Sequence, residues 1–291
     1  MSYLFFAFLA AACFAVVLIL NKLLSKHSID NKDSMMAYFM LTTFSFNLVL
    51  FPFVSFTTLS FEMFELIALL VGGFLIGYYA FYTAIFDTDA SSFAPLFQLQ
   101  AGFVGLLAFL FLGERFPIQN YLWMGLLIFG AILVSLDEKM SVKSFFNKGI
   151  GLVLLMQIFH AYSNLLVGFS LKQLTPIELI FWEYMFIGTA GFLFIMLKKP
   201  KMNYTTKQIT PMVISSYIGS IGVIALFKAF SVNLTISSVI GLLSAPIVFV
   251  VSLIASRFSP TFLEHHPAKV YVIRGIGLLV ILFGAYKIAI G

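Results

Sequence analysis

Residues 77–136 read GYYAFYTAIFDTDASSFAPLFQLQAGFVGLLAFLFLGERFPIQNYLWMGLLIFGAILVSL. An apolar run gives way to a polar break at Asp87–Asp89, and a second apolar run ends in the charged turn Gly113-Glu114-Arg115. A third apolar run follows, carrying Gly125 and Gly130. Each run is close to the length of about 20 mostly apolar residues that a helix needs to cross a hydrocarbon layer. The same pattern of lengths and small residues returns about 145 residues later, near Gly222–Ile290, in degenerate form.

Working outward from this stretch, the rest of the chain repeats its chemistry. Of 291 residues, 61% are hydrophobic, 17% aromatic and only 10% charged, with a mean hydropathy of +1.05. A soluble domain carries about a quarter charged residues, so so sparse a set cannot make a surface for water. Lipid is therefore the expected solvent. Ten spanning segments are expected, at 2–24, 34–56, 64–85, 91–112, 119–136, 149–171, 176–197, 209–230, 236–256 and 270–290. The apolar runs are continuous, not alternating, which excludes a transmembrane β-barrel and leaves an all-α bundle. The N-terminal run lacks a basic leader, so it reads as a first spanning helix.

Ten spans divide into two five-helix halves, 1–140 and 141–291, forming one bundle. Sliding one on the other pairs Ala84 with Ala229, Ser92 with Ser237 and Gly130-Ala131 with Gly284-Ala285. An odd number of spans per half inverts the second copy, and such inverted repeats characterise secondary transporters. Most of the 17 Lys and Arg fall in the odd-numbered breaks, which sets those breaks toward the cytoplasm and both termini outside. The formal charge of +5 thus reports loop orientation and gives no sign of a nucleic-acid partner. The single cysteine, Cys13, allows no intrachain disulfide and reads as a small hydrophobe.

The run Ala84–Arg115, ending Leu112-Gly113-Glu114-Arg115 and followed by Gly125 and Gly130, resembles the EamA-type signature. That resemblance implies the drug/metabolite transporter superfamily, with ten helices in two inverted halves and both termini cytoplasmic. Several positions depart from the family pattern. Phe14-Ala15 stands where Trp-Gly is common, and Gln100-Ala101 where Glu-Pro is common. Met40 and Glu183 stand where an arginine is often found in the second helix of each half. The chain reads as a divergent member, and the family's substrates do not carry over.

Ionisable groups inside a span cost about 2.5–3.5 kcal/mol at its centre, so they default to candidates for function. Glu183, flanked by Trp182 and Tyr184, is the sharpest, as a proton-coupling carboxyl or a partner for a cationic group. Gln157, His160 and Asn164 share one helix face as a polar stripe, and His160 could relay a proton. Lys22 and Lys228 end spans; they reach headgroups or, turned inward, hold a substrate anion or Glu183. Gln98, Gln100, Tyr78 and Tyr82 complete the candidate substrate contacts.

No serine-hydrolase, zincin, Walker or dinucleotide motif occurs, and no metal or cofactor is expected. The expected function is gradient-driven transport of a small polar metabolite, an amino acid or related compound, by export. A monomer in a prokaryotic inner membrane is the expected setting, with only substrate and lipids as partners. The alternative reading is an intramembrane enzyme acting on a lipid or polyprenyl substrate.

Overall fold

A computed structural model describes residues 3–55, 58–87, 96–97, 99–100, 103, 106–107, 118–136, 148–232, 237, 240–241, 243–258 and 267–290. All regular structure among them is helical. Helix α1 is Tyr3–His27, and α2 is Lys32–Ser45, continued by the turns Asn47–Leu50 and Phe51–Phe53. Then come α3 (Phe61–Asp87), α4 (Ile118–Ser135), α5 (Lys148–Ser170), α6 (Pro176–Lys198), α7 (Thr206–Phe230), α8 (Ser244–Phe258) and α9 (Ala268–Ile290). Six segments among the described residues are long and apolar enough to cross a membrane: α1, α2 with its continuation to Phe53, α3, α5, α6 and α7. Most of the expected segment at 91–112 and part of that at 236–256 lie outside the described residues.

Local chemistry sets the boundaries. Asn31 opens α2 by accepting the N–H groups of Asp33 at 2.8 Å and Ser34 at 3.1 Å, two donors that have no partner within the helix. At α6, Thr175 and Glu178 form a reciprocal capping box, and Pro176 takes the first position, where a missing N–H is harmless. Glu178 is thereby spent on the helix start, which leaves Glu183 as the acid within α6. The helix stops at Lys199, whose φ of 46° is the left-handed conformation that ends many helices.

The outside of the bundle is apolar. Phe5, Phe8, Leu69, Phe192, Met196 and Leu279 all stand exposed, a surface matched to acyl chains and unsuited to water. Polar side chains turn inward instead: Thr42, Asn47, Gln157, Ser163, Glu183, Ser215, Ser216 and Ser220 are all buried.

Helices pack in matched pairs, α1 along α7, α3 along α5, α4 along α9 and α2 against α6. Small residues make the approaches close. A Cβ on Gly77 of α3 would stand 2.6 Å from Cδ2 of His160 on α5. A Cβ on Gly222 of α7 would stand 2.9 Å from that of Cys13 on α1. In lipid there is no hydrophobic force between helices, so this shape fit carries the association.

Candidate functional site

A chain of polar and aromatic contacts joins side chains of α2, α3, α5, α6 and α7. Its sharpest member is Glu183, 4% exposed. Its Oε2 finds no hydrogen-bond partner among the described residues. The carboxyl lies within electrostatic reach of the hydroxyls of Tyr78 on α3 and of Tyr184 beside it on α6. The neighbouring Trp182 is also left with an unpartnered indole nitrogen, Nε1.

Tyr78 ties this carboxyl to α5. Its ring meets His160 at 5.1 Å between centroids and 66°, while Phe74 meets the same imidazole at 5.4 Å and 85°. The imidazole fills the notch left by Gly77, and its Nε2 has no hydrogen-bond partner. Phe39 of α2 closes the other side, 4.5 Å from Tyr78 and 5.5 Å from the fully buried Tyr82. The stripe expected on α5 is present as geometry. Gln157 is buried with an unpartnered Nε2, His160 and Asn164 are half-buried, and the adjacent Ser163 donates to the Leu70 carbonyl of α3.

Sequence reading missed the seam between α2 and α7. The hydroxyls of Thr42 and Ser216 lie 2.6 Å apart, and those of Ser45 and Tyr217 lie 3.3 Å apart. Phe46 stands edge-on to Tyr217 at 5.0 Å and to Tyr184 at 6.4 Å, joining the seam to the neighbourhood of Glu183. Hydroxyls one turn apart on two helices were the available signal, but Thr42, Ser45, Ser216 and Ser220 also read as plain packing residues.

The two lysines lie elsewhere. Lys22 is buried, and its Nζ donates to the Ile85 carbonyl at 2.8 Å, near the last turn of α3, where a cation suits the helix dipole. Lys228 is exposed, its Nζ 5.5 Å from the Phe6 ring centroid. Gln100 is half-buried, and Gln98 lies outside the described residues. Among the described residues no cluster of His, Cys, Asp and Glu could hold a metal ion.

A second polar cluster joins the α1–α2 turn to the α6–α7 turn. Asp30 accepts a hydrogen bond from Tyr204, and Lys201 stands 3.8 Å from the Asp30 carboxylate and 4.7 Å from the Tyr204 ring centroid. Gln208 donates to the Ser28 carbonyl at 3.1 Å. The Tyr204 hydroxyl and, after it, Lys201 hold the Asp30 carboxyl below the usual carboxylate range. Burial, helped by Asp30, pushes the Tyr204 phenol up.

Apolar helices with polar groups turned inward define an integral, multi-pass membrane protein. Residues 1–136, a little under half of the chain, match the EamA-like transporter family, and over that stretch the chain is similar to that family of membrane transporters. A solved structure whose title reads "Crystal structure of protein" matches with a TM-score of 0.64 over 97% of each chain. Its identity to this chain is 13%, so the likeness concerns the fold alone. No curated protein matches at a significant level.

Proposed function

We propose that the chain is a secondary active transporter that exports a small polar metabolite, an amino acid or related compound, across a prokaryotic inner membrane. It works by alternating access between two inverted five-helix halves, 1–140 and 141–291. The packing scheme supports this reading. Exchanging the halves turns the α3–α5 pair into the α7–α1 pair, and the α2–α7 contact into the α6–α3 contact. Gly77 against His160 and Gly222 against Cys13 are counterparts in that exchange.

The observation that carries the proposal is Glu183, a buried carboxyl with an unpartnered oxygen, bordered by side chains of both halves. Such a group at bilayer depth marks a substrate or proton path. Glu183 couples transport to protons, with His160 as a neighbouring relay and Tyr78, Tyr82, Gln157, Asn164 and Trp182 lining the path.

Proteoliposomes holding the purified protein test this directly. A pH gradient is expected to drive counterflow of amino acids or amines, and Glu183→Gln is expected to remove the pH dependence. Flux that is indifferent to Glu183→Gln rejects the coupling role.

A further inference from the structure

Counting charges inside the spans narrows what the site takes. Inside the expected spans the sequence places the basic residues Lys22, His160, Lys228, Arg274 and Lys287, and the stretches 91–112 and 233–243 contain no Lys, Arg or His. Lys22 is held by the Ile85 carbonyl, and Lys228 lies exposed beside Phe6. Arg274 is engaged on α9, a helix packed against α4 and α8. Lys287 lies over the Trp123 and Phe283 rings, and none of the five pairs with Glu183 among the described residues. An ionised carboxylate withdrawn from water needs a counter-charge, because its solvation loss is otherwise uncompensated. Among the described residues none stands beside Glu183. The described groups within electrostatic reach of the carboxyl are the phenols of Tyr78 and Tyr184, and aromatic rings are the apolar surface that tolerates a cation.

We infer that Glu183, with Tyr78 and Tyr184 within reach of it, is a binding site for an organic ammonium ion. The inference rests on the transporter reading above and narrows it to solutes recognised through an amine. When the ammonium arrives, the Glu183 carboxylic acid releases its proton to water and its carboxylate takes the cation; no covalent bond forms or breaks. Proton and cation thus occupy the carboxyl in turn. The titratable groups facing it are phenols, Tyr78 from α3 and Tyr184 from α6. Beyond α2, Phe46 stands against Tyr184 and Asn47 Nδ2 donates to the Phe181 carbonyl, while α7 places Tyr217 against Phe46. A carboxylate carried by the same solute meets no cation there, so charge selects the amine end alone.

The test uses the full chain with benzylammonium, benzyl alcohol, benzoate and phenylalanine. In weakly buffered detergent solution, benzylammonium is expected to release about one proton per cation bound. Glu183→Gln is expected to weaken that binding about a hundredfold, as removal of one partner from a buried ion pair does. Glu183→Asp, which keeps the charge, is expected to retain proton release and so separates loss of the site from loss of the fold. Binding without proton release, or equal binding to Glu183→Gln, overturns the inference. Flux of benzoate or phenylalanine in proteoliposomes without flux of benzylammonium overturns it too, yet leaves the transporter reading standing. Absence of flux for all four solutes removes both.

Discussion

The protein holds two polar clusters, and they are finished to different standards. At the turns, Asp30, Tyr204, Lys201, Gln208 and Ser28 satisfy one another, although water is near. In the core, Glu183, His160, Gln157 and Trp182 each keep an atom without a hydrogen bond. The ordering is the reverse of cost, since an unpartnered polar group is most expensive where water is absent. The open atoms of the core cluster are the ones that the proposed solute would fill. The turn cluster reads as a latch that links the two halves on one face.

The contrast can be broken by four experiments. The largest effect is expected at Glu183→Gln, which should reduce pH-driven flux more than about tenfold while elution from size exclusion stays unchanged. Gly77→Leu should come next, since even its first carbon would collide with the His160 imidazole at 2.6 Å. Overpacking of that kind costs about 1–3 kcal/mol, and thermal melting in detergent should register it. Gly72→Leu, where nothing lies within 4 Å, should melt as wild type and serves as the control.

Smaller effects belong to the latch. Tyr204→Phe or Asp30→Asn should loosen the two turns and raise the labelling rate of a cysteine placed at Ser28, with little change in melting temperature. The Asp30 carboxyl sits below its ordinary range, so its contribution is present above the ordinary carboxylate pKa. That contribution disappears as pH falls through the lowered value. The labelling difference between wild type and Asp30→Asn should therefore vanish in acid. The smallest effect is expected at Lys199→Gly, which relieves the left-handed end of α6 and should stabilise by about 0.5–1 kcal/mol in the same melting assay.

The helices were legible because lipid imposes one rule on every span, and continuous apolar runs obey it. Expected segments such as 176–197 and 149–171 fall on α6 and α5 almost to the residue. Glu183 and His160 were legible for the same reason, as ionisable groups where none is cheap. What sequence could not supply was pairing across distance. Lys22 at the end of an apolar run reads as a headgroup anchor, and only packing of α1 beside α3 reveals the Ile85 carbonyl as its partner. Asp30 and Tyr204 are 174 positions apart and sit in loops that look solvated. Thr42 and Ser216, equally distant, carry no charge to announce themselves.

Trp182 has one further consequence. The chain contains only two tryptophans, and the other, Trp123, sits edge-on to Phe283 where α4 meets α9. Trp123→Phe therefore leaves a single indole, adjacent in sequence to Glu183, whose emission is sensitive to a charge or water molecule entering nearby. The molecule thus carries its own optical reporter for the binding proposed at Glu183, with no label attached.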